Sequence, residues 1–308
     1  MKAIKQVETK PGMTVNELIN EFNASNAFQA GQLAKAVSIS EAMVKDKDCG
    51  VFFGLAGAMV PGGMQRVVAD MIYDEWINVF VSTGANLTHD LIEALGFRHF
   101  KLSKPLTDIQ LRKKGLDRIY DSLMQNKAYQ AMEKFLDKAV NEIDSREVSI
   151  KELLWFVGSK IKSKNSLLNA CAVKKIPVYC PAFDNSGLGI QLSYLLKEKK
   201  INVPAFKDLH ELLNLSFDYK VKGVFFVGGG EPKNYIQQAM QFSPEPAKYG
   251  VQITTDRPEF GGSSGAPLEE GVSWGKMSEK GRFVDLYCDA TIALPLISAA
   301  LKERLKVG

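Results

Sequence analysis

The sequence predicts an α/β protein with a doubly wound, mainly parallel sheet, helices on both faces and a helical insertion. Six short apolar runs, rich in β-branched and aromatic residues, are separated by longer stretches with helical spacing. Strands alternating with helices in this way form a parallel sheet covered on both sides. Nearly every run also ends in Gly, Ser, Thr, Asp or Asn, the residues that close a buried strand.

In chain order, the first 45 residues are helical in pattern. Thr14 and Glu17 have the spacing of a capping box, in which each side chain satisfies an exposed backbone N–H. Strands are expected at Val51–Phe53, Val79–Val81, Ile176–Tyr179, Val224–Val227, Val251–Ile253 and Val284–Tyr287. Helical periods join them, as at Leu91, Ile92 and Leu95, or Leu188, Leu192, Leu195 and Leu196. Residues 105–175 break the alternation. Ile109–Met124 and Ala128–Ile143 carry apolar residues three and four apart with Lys and Asp opposite, which predicts a helical insertion rather than a second domain. With no repeat or linker, one domain over 1–308 is expected.

Composition excludes several classes. Thirty-nine basic against 35 acidic residues leave a net charge of +4, too weak and too interspersed for nucleic acid. The densest basic stretch, Lys104–Lys114, reads as a solvated helix face. No apolar run reaches the roughly 18 residues of a membrane span. The N-terminus lacks the apolar core of a signal peptide. Cys49, Cys171, Cys180 and Cys288 stand far apart in or beside apolar stretches, as reduced thiols of a cytoplasmic protein would. Three histidines without ligand spacing predict no metal site.

In an open parallel sheet, ligands bind beyond the carboxyl ends of the strands. Five such ends here carry small or polar residues: Gly54–Gly63, Ser82–Asp90, Ala182–Gly189, Gly228–Gly230 and Cys288–Thr291. No complete GxGxxG is present, and one glycine turn alone is usually a connector. Five in one sheet suggest a dinucleotide across the sheet edge, with Asp289 or Asp184 available for a ribose hydroxyl.

A glycine- and serine-rich loop from Phe260 leads to a helix start where Glu269 and Glu270 suit the positive end of the helix dipole. Trp274 and Lys276 follow, flanking Gly275. The bland reading makes Lys276 a surface lysine and Trp274 a core residue. The sharper one is a desolvated lysine beside an aromatic wall, its amine free for imine chemistry, with Glu270 holding a cationic substrate.

Ser-Thr-Gly-Ala-Asn-Leu-Thr-His-Asp (82–90), Pro-Val-Tyr-Cys-Pro-Ala (177–182), the Gly228-Gly229-Gly230 turn, Val-Ser-Trp-Gly-Lys (272–276) and Tyr-Cys-Asp-Ala-Thr (287–291) closely resemble the deoxyhypusine synthase family. The motifs run in family order from about residue 30 onward, and Val-Ser-Trp-Gly-Lys is the most specific. The resemblance implies a Rossmann-like homotetramer that keeps NAD at a subunit interface. It implies a polyamine donor, usually spermidine, dehydrogenated with NAD. The aminobutyl group is captured by a lysine as an imine and passed to an acceptor amine, a lysine of a translation factor or, in homospermidine synthases, putrescine.

By the same resemblance, Lys276 matches the imine-forming lysine, Trp274 the tryptophan along the polyamine, and Glu270 the carboxylate for an ammonium end. Gly57, Thr83, Gly84, Ala85, Asp289 and Ala290 fall in segments around NAD. Gly228 and Gly229 match the glycine turn near nicotinamide and substrate. Asn185, or Asp184 with a shift of one, stands where the family has an NAD-contacting aspartate.

The departures bear on substrate. Asn234 replaces a histidine used in proton transfer, Ile190 replaces a polyamine-binding aspartate, and the loop around Gly262-Ser263-Ser264 lacks a second one. His89 replaces a glutamate of some members. A lost carboxylate leaves a buried ammonium unpaired, at several kcal/mol, so a pocket unlike the standard spermidine site is expected. It looks more like the bacterial deoxyhypusine synthase-like branch. The alternatives are a homospermidine synthase-type enzyme using putrescine or agmatine, and a catalytically silent NAD-binding partner subunit.

Overall fold

A computed structural model of the chain describes residues 3–306. Its elements in chain order are α1 (Val15–Ser25), α2 (Phe28–Lys45), β1 (Cys49–Leu55), α3 (Gln65–Tyr73), β2 (Val79–Ser82), α4 (Gly84–Ala94), α5 (Asp108–Lys113), β3 (Leu116–Ile119), β4 (Ser122–Gln125), α6 (Ala128–Val140), α7 (Ile150–Lys160), α8 (Leu167–Lys174), β5 (Val178–Tyr179), α9 (Gly187–Lys199), α10 (Lys207–Asp218), β6 (Val221–Val227), α11 (Gly230–Phe242), β7 (Ala247–Thr254), α12 (Glu270–Ser273), β8 (Met277–Tyr287) and α13 (Ala290–Leu305). All six expected strands form. The fold is α/β, as expected. Among the described residues, no helix is long and apolar enough to cross a membrane.

The chain forms two compact units. One comprises the residues up to Ala56, Asp74–Val81 and those from Glu211 on; the other comprises Gly57–Tyr73 and Ser82–His210.

In the first unit the strands run in the order β2–β1–β6–β7–β8. β1 pairs with β6 in parallel from Cys49↔Val221 to Leu55↔Val227, and β6 with β7, and β7 with β8, likewise. Every residue of β1 is buried, as an inner parallel strand requires. Gly223, register partner of Val51, faces Met43 of α2, where an added Cβ would come 2.9 Å from its sulfur. Gly54, on the opposite face by alternation, meets Phe226 and Ile236 of α11. Helices therefore cover both faces. The Thr14–Glu17 capping box forms, with bonds of 2.8 and 3.1 Å. Arg304 of α13 ties α1 and α2 through Asn16, Asn20 and Glu41.

In the second unit α4, α6, α8 and α9 pack on one another. One correction falls here. Ile109–Met124 is not one helix: α5 stops at Lys113, and an antiparallel β3–β4 hairpin follows. Gly115, at φ +65°, breaks the helix, and Tyr120, at φ +53°, makes the hairpin turn. Ala128–Val140 is helical as expected. Cys49, Cys171 and Cys180 are buried and Cys288 half-buried, all free thiols.

Candidate active site

The residues singled out by sequence divide between the two units. In the first unit, β6 runs into the turn Gly228-Gly229-Gly230. Gly228 (φ +72°) bonds its N–H to the Ile253 carbonyl at 2.8 Å. A Cβ on Gly229 would lie 2.2 Å from Cα of Ser264, so this contact needs glycine. Gly229 caps α11 without a side-chain bond, leaving the helix's first N–H groups unclaimed by side chains. Asn234 is exposed one turn into α11, and its neighbour Lys233 is only 2% exposed.

Lys233 Nζ donates to the carbonyls of Ser263 (2.8 Å) and Ala266 (2.5 Å). Gln252 Nε2 donates to those of Ser264 and Ala266, both at 3.2 Å. The serine and glycine loop is thus clamped by one side chain from α11 and one from β7. Burial pulls Lys233 down to about 8, against the opposing charges of Asp285 and Glu270.

That loop delivers α12, a single turn with Glu270 at its start, as the acidic pair predicts. Glu270 is exposed. Trp274 is 57% exposed, so the bland reading of it as a core residue is overturned. Lys276 is half-buried rather than fully desolvated, with Nζ 4.9 Å from the centroid of the Trp274 ring. Its backbone is pinned on both sides, N–H to Gly271 O at 2.8 Å and carbonyl to Ala247 N–H at 3.1 Å. Glu270, Trp274 and Lys276 are brought together on one short segment. At the far end of β8, Asp289 caps α13, its Oδ1 accepting from the N–H and hydroxyl of Thr291 at 2.7 Å each; Ala290 opens the helix.

In the second unit, Gly57 (φ +74°) offers its carbonyl to Asn86 Nδ2 at 2.8 Å, and Asn86 Oδ1 accepts from the N–H groups of Met59 and Val60. Asn86 Nδ2 also reaches Thr83 Oγ1 at 3.2 Å. Thr83 precedes α4, Gly84 opens it, and Ala85 is exposed beside them. A Cβ on Gly84 would meet Ser186 at 2.4 Å. Asp184 and Asn185 lie exposed in the turn before Ser186, which caps α9. His89 lies half-buried on α4.

The sequence model of the deoxyhypusine synthase family matches residues 17–301. A probable deoxyhypusine synthase 1 of Methanosarcina mazei is 43% identical over 98% of this chain and 95% of its own. The chain belongs to the deoxyhypusine synthase family. A probable deoxyhypusine synthase 1 of Archaeoglobus fulgidus is 40% identical, over 96% and 97% of the two chains. The fold matches the crystal structure of a candidate deoxyhypusine synthase from Entamoeba histolytica with a TM-score of 0.63, 15% identity and 96% coverage of both chains. Members of the family are NAD-dependent aminobutyl transferases acting on polyamines, and this chain is an enzyme of that kind.

Each unit of this deoxyhypusine synthase-family chain, taken by itself, offers groups that suit part of a dinucleotide. In the first unit α11 starts at the Gly228–Gly230 turn with no side-chain cap on its first amides, and in the second unit α4 starts at Gly84 likewise uncapped; either helix start suits an anionic phosphate. Asp289 keeps its second carboxylate oxygen for a hydroxyl.

Sequence reasoning missed three features. Asn86 knots the Gly57 turn to the start of α4, Lys233 holds the loop before Glu270, and Glu93 and His99 hydrogen-bond in series to His89. For the last, the signal present was the one-turn spacing of His89 and Glu93.

Proposed function

We propose that this enzyme moves an aminobutyl group from a polyamine to an acceptor amine through an imine on Lys276. The observation that carries it is Lys276 Nζ over the Trp274 indole, with Glu270 one turn earlier. Glu270 holds an ammonium end of the donor, and the exposed indole face covers its methylenes. NAD, when bound, supplies the hydride acceptor for the donor's carbon–nitrogen bond and later returns that hydride. Lys276 adds to the oxidised carbon, the donor's remaining amine leaves, and the four-carbon group stays on the lysine until the acceptor amine displaces it. Gly57, Thr83, Gly84, Ala85, Asp184 or Asn185, Gly228, Asp289 and Ala290 hold the dinucleotide.

The acceptor of the family reading is a lysine of a translation factor. A second reading, a homospermidine-type reaction with putrescine or agmatine, is favoured by Ile190, an apolar side chain 52% exposed on α9 where the family has a carboxylate. The working assembly is a homotetramer. Phe28, Phe260, Trp274 and Ile292 in the first unit, and Ile190 and Tyr194 in the second, are large apolar side chains left exposed, as unburied interface surface would be.

Borohydride reduction with NAD and each amine in turn, followed by intact mass and peptide mapping, tests the reading. An aminobutyl adduct on Lys276 is expected. Release of 1,3-diaminopropane identifies spermidine as donor, and release of ammonia identifies putrescine. Bound NAD with no adduct from any amine would overturn the transferase reading in favour of a silent partner subunit.

A further inference from the structure

The basic stretch between residues 101 and 127 lies wholly in the second unit and is not one helix face. It holds seven Lys and Arg against three Asp, a surplus of +4 that equals the charge of the whole chain, so the rest of the sequence is neutral. Two of these cations are taken. Lys101 pairs with Asp121 at 2.6 Å, and Arg118 with both oxygens of Asp108 at 2.6 and 2.9 Å. Lys104, Arg112, Lys113, Lys114 and Lys127 are exposed and have no acidic partner among the described residues. Cations crowded in this way repel one another and gain only when an anionic group arrives.

The surface is shaped as well as charged. Between α5, β3 and Asn126 lies a cavity of about 760 Å³. Leu111 and Leu116 give it apolar walls, and Arg112, Asp117 and the Arg118–Asp108 pair give it charge. β3 and β4 pair up to Ile119↔Ser122, so Tyr120 and Asp121 are the two central residues of the hairpin turn. Tyr120 takes φ +53°, a conformation that such turns give to Gly, Asn or Asp. Tyrosine is strained there, and with its side chain 87% exposed no packing within the chain offsets the strain. Arg118 Nη1 donates to the Tyr120 carbonyl at 3.0 Å, which ties the turn to the cavity wall. The hairpin thus holds an aromatic ring outward beside a charged cavity.

We propose that this hairpin face is a docking surface for a polypeptide segment in which acidic side chains surround a large apolar one. The apolar side chain enters the cavity against Leu111 and Leu116. Its acidic neighbours pair with Arg112, Lys113 and Lys114, and Tyr120 covers the segment. Tyrosine and arginine are among the side chains that most often anchor such contacts. A polypeptide fits this surface better than a nucleic acid does. Asp108, Asp117 and Asp121 are interspersed with the cations, and a backbone with a phosphate at every step would meet them. A polypeptide sets its charges residue by residue and can leave those positions neutral. The surface uses none of the groups assigned to aminobutyl transfer, and its test does not depend on that reaction.

Fluorescence anisotropy of the full-length protein with a labelled synthetic peptide, glutamates around one central leucine, tests the proposal. Binding that weakens as salt rises is expected. Arg112→Ala and Tyr120→Ser should each weaken it about tenfold. Lys162→Ala, at an exposed lysine elsewhere in the second unit, should leave it unchanged. Tyr120→Gly should weaken binding as much as the serine variant while raising the melting temperature, because glycine relieves the strained turn. A lower melting temperature in that variant would assign Tyr120 to the fold and overturn its docking role. No binding, or binding that ignores Arg112 and Tyr120, would overturn the proposal. Equal loss in the Lys162 variant would reduce it to attraction by net charge. An oligouridylate of equal charge that binds more tightly, with the same dependence on Arg112 and Tyr120, would make this a nucleic-acid surface instead. Self-association abolished by Tyr120→Ser would put a second copy of the chain there and equally overturn it.

Discussion

Lys276 holds its Nζ 4.9 Å from the centre of the Trp274 ring, across a single residue, Gly275, whose φ of +69° folds the two side chains together. A lysine over an indole gains about 0.5–1 kcal/mol at an exposed site, enough to restrict where the amine points. Trp274→Ala is therefore expected to raise the KM for the donor amine roughly fivefold or more, because in the proposed reading the indole also covers substrate methylenes. Lys276→Arg should abolish both turnover and the borohydride adduct. Unaltered NAD binding in the arginine variant, measured by fluorescence titration, would separate loss of the nucleophile from loss of the fold.

Lys233 gives a pH signature. Its folded-state value, drawn down by burial to about 8 from 10.5, means that the unfolded chain binds more protons between those limits. Its contribution to stability is therefore complete above 10.5 and is lost as pH falls to about 8. The stability difference between the parent and Lys233→Met should grow with pH across that window, by up to about 3 kcal/mol. Chemical denaturation of both proteins at pH 7.5 and pH 10 measures it. A pH-independent difference would mean that Lys233 is not held as described.

Asp90 is fully buried and accepts from Ser166 Oγ, the N–H groups of Leu167 and Leu168, and Gln65 Nε2. Asp90→Ala would leave the start of α8 without its acceptor, at about 3 kcal/mol for the orphaned donors together. Thermal melting should show a drop of several degrees. A shift under one degree would contradict the capping role.

Restoring the family's polar groups should redirect specificity. Ile190→Asp is expected to increase kcat/KM for spermidine relative to putrescine, since in the proposed reading it returns a carboxylate to the donor's ammonium. Asn234→His should favour a protein-lysine acceptor. If competition assays with mixed amines give the same product ratio for parent and both variants, these positions do not set the substrate.

The sheet was legible because its strands are continuous β-branched and aromatic runs, as buried parallel strands must be. The hairpin was not. Leu116, Ile119 and Leu123 fall three and four apart, a helical spacing, and its turn rests on Tyr120 at positive φ rather than on a glycine that would have announced it. The lysine segment was legible because Glu270, Trp274 and Lys276 act within seven residues of sequence. His99 and Lys233 were not, because their partners are set by tertiary returns: a turn at Gly96 in one case, a loop thirty residues downstream in the other.

Lys233 grips the chain at Ser263 and again at Ala266, and Gln252 holds the stretch between. The path between those two anchors has a fixed length. A residue inserted between Ser263 and Ser264 must bulge outward, since it cannot lengthen the route to Glu270 without breaking the clamp. Chain length added there is absorbed ahead of the second anchor, so the register of Lys276 is insulated from changes in the loop before it.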